Sequence, residues 1–359
     1  VDELDTPALV VYRNRVSDNI NTLINSINSV ERLRPHVKTH KSFQVCELLL
    51  NAGIKKFKCA TIAEAEMLAQ AGAPDVLLAY QPVGPKIKRL VSLVNQYPST
   101  SFSCLIDNLE TATVIADTFG QQVSPLPVYI DLNVGMNRTG IAPTLASTLF
   151  NSCRDLKGIS IIGLHAYDGH LRDTDFAIRK NKCDEAFAHV VTVKDDIRKT
   201  FNADLKIVAG GTPTYSIHCK REKVECSPGT FIYWDKGYQD TLPEQQFSCA
   251  ALVVARIISK PSADTICIDL GHKAIAAENP LGQRVAFLNA PGLKPLGQSE
   301  EHLVLGIEDN RTYQIGDVLY GVPVHICPTV ALHDQAAVIE GNRITTYWKT
   351  TSRTRKITI

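Results

Sequence analysis

The sequence predicts an α/β fold: a (β/α)8 TIM-type barrel followed by a β-rich C-terminal domain. Three observations carry this. Short β-prone runs recur at spacings of roughly 20 to 45 residues. Segments with helical periodicity separate them. Beyond about residue 240 the helical patterns give way to strand-like runs with turn residues between them. The chain has 359 residues, which suits a large barrel with a second unit better than one small core.

In order along the chain, residues 6–12 read as a strand that precedes the first barrel helix and is expected to pair with the C-terminal domain. Eight barrel-strand candidates follow at residues 32–38, 56–60, 75–80, 101–106, 127–133, 160–166, 205–209 and 230–234. Between them lie helical patterns. Thr61 and Glu64 form a capping box that satisfies the free N–H groups of a first turn. Gly72 closes that helix after the apolar stripe of Ala65, Leu68 and Ala69. Residues 108–119 form a helix ending at Gly120, and residues 176–201 a long amphipathic one. A doubly wound open sheet shows a similar alternation, and eight repeats favour the barrel. Strand-like segments then fall at 249–259, 265–269, 303–305, 318–322 and 343–347. The expected division is a barrel over residues 13–240 and a β-rich domain from residues 1–12 and 241–359.

Composition excludes several function classes. Hydrophobic content of 44% and charged content of 21% are ordinary for a globular protein, and the formal net charge of +1 implies no polyanionic partner such as nucleic acid. The basic residues Lys349, Arg353, Arg355 and Lys356 alternate with Thr and Ser, as in a solvated edge strand. No apolar run approaches the ~20 residues needed to span a bilayer. No signal peptide is visible, and a chain beginning at Val1 leaves a removed leader open. Ten cysteines without a CxxC pair, several in apolar runs (Cys59, Cys104, Cys249, Cys267), point to reduced thiols in a cytoplasmic protein.

Lys38 ends the first barrel strand, in the segment Arg34-Pro35-His36-Val37-Lys38-Thr39-His40-Lys41. The C-terminal strand ends carry the chemistry of such barrels. Schiff-base chemistry needs a neutral amine, and flanking His36 and His40 help provide one. This segment resembles the lysine motif of the D-threonine aldolase and D-serine dehydratase family, and the similarity runs from Asp5-Thr6-Pro7-Ala8 to the tail. The resemblance implies the barrel of alanine racemase, a pyridoxal 5'-phosphate cofactor on Lys38, and a homodimer with its site at the interface.

Further residues take roles from that resemblance. In Asp131-Leu132-Asn133-Val134-Gly135-Met136-Asn137-Arg138 the guanidinium of Arg138 is expected at the cofactor's phenolic oxygen, where a permanent cation stabilises negative charge. Tyr167, in Gly163-Leu164-His165-Ala166-Tyr167-Asp168-Gly169-His170, is expected to touch the cofactor; His165 and His170 are candidate acid–base groups, and His40 is counted with Lys38 among the catalytic residues. Gly210, Gly211 and Thr212 follow the seventh strand. Adjacent glycines let backbone N–H groups approach an anion, and the resemblance implies a phosphate there. Gly229, Thr230 and Tyr233 are expected on the same phosphate.

His325 and Cys327 form an HxC pair. On a strand, residues two apart share a face, so an imidazole and a thiolate there supply half of a tetrahedral metal site. The resemblance makes this a divalent-metal pair beside the cofactor; the thiolate favours zinc, with manganese or magnesium as alternatives. The segments 269–274 and 298–302 are expected to reach the site across a dimer interface. The implied activity is a metal-dependent lyase on D-3-hydroxy amino acids. Retro-aldol cleavage to glycine and an aldehyde leads; β-elimination of D-serine to pyruvate and ammonia is the alternative. A racemase and a non-catalytic pyridoxal-phosphate-binding protein are the weaker rivals.

Overall fold

The computed structural model describes residues 3–122, 124–309 and 311–359. Strands run in chain order as β1 (Ala8–Tyr12), β2 (Lys56–Cys59), β3 (Asp75–Leu78), β4 (Ser101–Ile106), β5 (Leu126–Leu132), β6 (Ile159–Ala166), β7 (Lys206–Ala209) and β8 (Val224–Cys226). They continue as β9 (Ala251–Ser262), β10 (Thr265–Ile268), β11 (Val285–Phe287), β12 (Leu293–Gln298), β13 (Leu303–Ile307), β14 (Val318–Pro323), β15 (Gln335–Glu340) and β16 (Arg343–Lys349). The helices are α1 (Arg13–Asn25), α2 (Phe43–Asn51), α3 (Ile62–Gln70), α4 (Pro85–Gln96), α5 (Leu109–Phe119), α6 (Pro143–Cys153), α7 (Phe176–Phe201), α8 (Tyr215–His218), α9 (Lys236–Thr241) and α10 (Ile326–Leu332). The chain folds into two compact units: Leu23–Lys38, Val45–Gly229 and Thr354–Ile359 form one; the chain up to Thr22, Thr39–Gln44 and Thr230–Arg353 form the other.

In the first unit, β2 to β8 make one parallel sheet in sequence order, which rules out the order reversal of a doubly wound sheet. The 33–36 stretch bridges both edges, Leu33 to Cys226 and His36 to Lys58, and closes the sheet on itself. Pro35 has no N–H to offer, which helps explain why this segment makes isolated bridges where the sequence suggested a full first strand. The eighth strand is also displaced. Residues 230–234 do not form it: Thr230–Ile232 is a 3-10 turn, and Phe231 and Trp234 bury their rings against Phe247. An apolar run of that length does not distinguish strand from helix. The true eighth strand, Val224–Cys226, has only three residues.

Local signals hold elsewhere. The Thr61 side chain accepts from Glu64 N at 3.1 Å, Glu64 accepts from Ala60 N at 2.6 Å, and Gly72 follows α3 with φ +85°. Inside the sheet, Leu77, Leu105, Tyr129 and Val208 fill one layer. Gly163 makes room for it, because a Cβ there would lie 2.5 Å from the Tyr129 ring. At the N-terminal strand ends, fully buried Arg34 pairs with Asp75 at 2.6 Å and with Glu225 at 2.7 Å, and Lys56 reaches Glu225 at 2.6 Å.

The second unit is a nine-stranded sheet, ordered β12-β13-β10-β9-β1-β15-β16, with β14 pairing β9 and β11. As expected, β1 joins this sheet, antiparallel to β9 and parallel to β15. Val253, Ile257, Ile266, Leu305 and Leu319 are among its core residues. Three strands escaped the sequence reading: β11, β12 and β15. The expected basic edge strand at the tail ends at Lys349; Arg353 donates to the Ala331 carbonyl at 2.8 Å. His325 and Cys327 are not on a strand either. His325 caps α10 and Cys327 sits in its first turn, where Pro328 is tolerated because first-turn N–H groups lack helical partners.

Candidate active site

The C-terminal strand ends of the barrel unit bring three cations to one ring. Lys38 Nζ lies 5.8 Å, Lys58 Nζ 5.7 Å and Arg138 Cζ 4.9 Å from the centroid of Tyr167. Lys38 follows the closing 33–36 segment, Lys58 is the third residue of β2, Arg138 lies beyond β5, and Tyr167 follows β6 directly. The ring fits because two neighbours lack a side chain. A Cβ on Gly211 would lie 2.8 Å from Tyr167 Cε2, and one on Gly169 would meet the phenol oxygen at 2.1 Å.

Beside the ring stands a hydrogen-bonded chain. Asp131 and His165 are register partners on β5 and β6, and His165 Nδ1 lies 2.7 Å from Asp131 Oδ1. The other carboxylate oxygen accepts from Gln81 at 2.9 Å and Thr139 at 2.9 Å. Burial favours the neutral acid, but the bonds from His165, Gln81 and Thr139 outweigh it and hold Asp131 ionised. Burial and the charge of Lys58 lower the imidazole of His165 against the pull of Asp131. A neutral His165 therefore gives Nδ1–H to Asp131 and presents its Nε2 lone pair to Lys58 Nζ, 3.4 Å away.

Gly210, with φ +75°, turns the chain after β7 in a conformation only glycine adopts freely. Gly229 N donates to Thr212 Oγ1 at 3.2 Å, so two of the expected phosphate segments meet. A buried cluster braces this loop. Asp168 accepts from Thr214 at 2.6 Å and from His218 Nε2 at 2.8 Å, and a Cβ on Gly210 would strike His218 Cδ2 at 2.6 Å. Asp168, Cys183 and His218 offer ligand atoms within 4.8 Å of one another and could hold a metal ion. The Arg221 guanidinium, however, lies 2.6 Å from His218 Nδ1 and 3.6 Å from Cys183 Sγ, which places a permanent cation beside that set.

His170 is exposed, and a Cβ on Gly135 would lie 2.8 Å from its Nε2. His40, Thr230, Tyr233, His325 and Cys327 belong to the second unit. There Cys327 Sγ lies 3.1 Å from Thr39 Oγ1 and 3.6 Å from Thr230 Oγ1, and His325 Nδ1 lies 2.5 Å from Glu278. Burial opposes charge on His325, but Cys327, Glu278 and Asp235 together raise it to about 9. Asp235 is buried, accepts from Tyr238 N and Ile326 N, and is itself raised to about 6 by that burial. Tyr233 is buried, and its carbonyl accepts from Ala250 N at 2.7 Å. His40 is fully enclosed: burial lowers it to about 3, and its Nδ1 accepts from Ser42 N at 3.1 Å. The segments 269–274 and 298–302 pair with each other, His272 N bonding the Ser299 carbonyl and Lys273 N that of Glu300.

Lys58, Gln81 and Glu278 were not anticipated. Lys58 had a signal, since a lysine between Phe57 and Cys59 interrupts a run that a parallel strand, buried on both faces, should keep apolar. Gln81 and Glu278 carry none, because only the fold brings them to Asp131 and His325.

Residues 11–236 match the family described as alanine racemase, N-terminal domain, over more than half of the chain. The chain belongs to that family. Beyond the alanine racemase N-terminal domain, residues 250–339 match the putative serine dehydratase domain. A D-threonine aldolase of Arthrobacter sp is 27% identical, covering 98% of this chain and 93% of its own. A D-threo-3-hydroxyaspartate dehydratase of Delftia sp. (strain HT23) is 24% identical, covering 91% and 92%. The crystal structure of D-threonine aldolase from Filomicrobium marinum shares the fold with TM-score 0.90 over 99% of this chain and 97% of that one, at 24% identity. The family, the fold and the enzyme class expected from the sequence agree with these relatives, which are aldolases and a dehydratase.

The donor set suits an anionic aromatic cofactor. Among the described residues no carboxylate forms an ion pair with Lys38, Lys58 or Arg138, and a glycine-lined cradle adjoins them. No helix of the described residues is long and apolar enough to cross a membrane.

Proposed function

We propose that this chain is a pyridoxal-phosphate- and divalent-metal-dependent lyase that cleaves D-3-hydroxy amino acids to glycine and an aldehyde. The observation that carries it is the convergence of Lys38 and Arg138 on the Tyr167 ring over Gly211. When bound, the cofactor supplies a carbonyl for an amine and a ring that draws electrons from the substrate's α carbon. Lys38 would be the amine that holds it. Arg138 would offer a permanent positive charge to its phenolic oxygen. Gly210, Gly211, Thr212 and Gly229 would supply N–H and hydroxyl donors for its phosphate; Thr230 and Tyr233, expected on it from the sequence, belong to the other unit. His165, held neutral and oriented by Asp131, can accept a proton at Nε2.

For the metal, His325 and Cys327 are the ligands of choice, with Glu278 within reach of the imidazole. An imidazole–thiolate pair suits zinc, and manganese or magnesium would suit a more oxygen-rich shell. The Asp168, Cys183 and His218 set is the weaker candidate because Arg221 already bonds His218 and burial keeps the Cys183 thiol protonated, raised to about 12. Metal content by mass spectrometry checks this: His325→Ala and Cys327→Ser should lose the ion, while Cys183→Ser retains it.

A dehydratase reading remains specific, because residues 250–339 match a putative serine dehydratase domain and one relative is a dehydratase. D-threonine and D-serine separate the two. Glycine plus acetaldehyde, lost on chelation and restored by metal, supports the aldolase; ammonia and a 2-oxo acid without aldehyde supports the dehydratase. An absorption spectrum that D-3-hydroxy amino acids leave unchanged, with metal present, supports a non-catalytic binder. Lys38→Ala should lose the visible band of bound cofactor; keeping it would remove Lys38 from its role. The cytoplasmic location and the homodimer expected from the sequence belong to the same proposal, the latter tested by sedimentation.

A further inference from the structure

Lys58 is 2% exposed, yet its amine has few partners. An ammonium carries three N–H donors. Here the neighbours are His165 Nε2 at 3.4 Å and the Gly210 carbonyl at 3.5 Å, both longer than a good hydrogen bond. The surrounding charges come from every side of the sheet. Arg34 and Lys38 lie on the closing segment, where His36 bridges Lys58 itself; Asp131 is on β5 and Arg138 beyond it; His165 and Asp168 are on and after β6. Among the described residues none of the carboxylates pairs directly with Lys58, and two more cations face the same ring. A buried cation without an anion is costly, so the site is electrostatically incomplete by one or more negative charges.

We propose that Lys58 is an anion-binding residue of the cofactor site that takes up a proton when the anionic cofactor enters. The inference rests on the pyridoxal-phosphate reading and deepens it. The proton comes from buffer acid, forms a bond to the Nζ lone pair and leaves the buffer base behind; the resulting ammonium meets the negative charge of the incoming group. Burial and the charge of Lys38 push the amine down to about 7, against Asp131 and Asp168, so the empty site at pH 8 holds Lys58 mostly neutral. Either the pyridoxal phosphate or free inorganic phosphate could supply the anion.

The test uses the full chain stripped of cofactor and 4'-deoxypyridoxine 5'-phosphate, which has no aldehyde and so forms no bond with Lys38. Calorimetric titration in two buffers of different ionisation enthalpy reads the protons taken up per site. At pH 8 wild type should take up more than Lys58→Met by a fraction approaching one proton. The difference should shrink at pH 6, where Lys58 is already charged. Lys58→Met should bind about tenfold more weakly or worse, the scale of one lost charge-assisted bond. Lys58→Arg, always charged, should lose the uptake but keep most of the affinity. Equal uptake and affinity within twofold in Lys58→Met would overturn the proposal while leaving the pyridoxal reading intact. Failure of wild type to bind the analogue would overturn both. With inorganic phosphate alone, the same uptake assigns the response to the phosphate group; uptake with the analogue only assigns it to the ring oxygen.

Discussion

At the scale of the residue, the site works through charges that burial alone would remove. Asp131 stays ionised because three donors meet its two oxygens, and it thereby fixes which nitrogen of His165 carries the proton. Asp131→Asn should therefore leave the fold intact, lower kcat about a hundredfold and shift the pH profile, since a positioned acid–base group contributes on that order. An unchanged profile in steady-state kinetics would remove His165 from the reaction. His40 behaves differently. Its folded value near 3 lies below the ordinary 6.5, so its contribution to stability is complete above pH 6.5 and is lost as pH falls towards 3. Between pH 6.5 and 5 the loss should be about 2 kcal/mol in denaturant titrations, and His40→Leu should flatten that part of the curve. Lys38 was legible as a motif. The neutrality of His40 was not, because burial is a property of the fold.

At the scale of the element, glycine placement decides what the strands can carry. Gly163 sits opposite Tyr129 across β5 and β6, and a methyl group would meet both that ring at 2.5 Å and the Lys206 carbonyl at 2.8 Å. Gly163→Ala should cost about 1–3 kcal/mol by denaturant unfolding, the usual penalty of overpacking. Strong local patterns were readable: the Thr61 cap, the α7 limits at Phe176 and Phe201, and β4 at Ser101–Ile106. Short elements were not. Three residues of β8 leave no period to detect, and the apolar run at 230–234 became a turn because its aromatic rings pack around Phe247. The HxC pair was assigned a strand geometry it lacks, since a helix begins at Ile326.

At the scale of the molecule, closure of the barrel unit rests on a segment with little ladder bonding of its own. Arg34 ties it to β3 through Asp75 and to β8 through Glu225. Arg34→Met should destabilise by about 3 kcal/mol or more, because it strands carboxylates beside the core; adding Glu225→Gln should recover part of that in thermal or denaturant melts. A double variant no more stable than the single one would place the cost in lost packing.

From the sequence alone came the expectation that Lys38, Arg138, Tyr167 and the Gly210–Gly211 turn would meet in one place, and that a β-rich unit would follow an alternating α/β one. Those are local facts, carried by motif, period and turn residues. The tertiary structure decided that Lys58 joins Lys38 and Arg138 around one ring, that Asp131 orients His165, and that His40 is sealed away. Each of these depends on which strands lie side by side, and side-chain charge responds to burial and neighbours that no stretch of sequence contains.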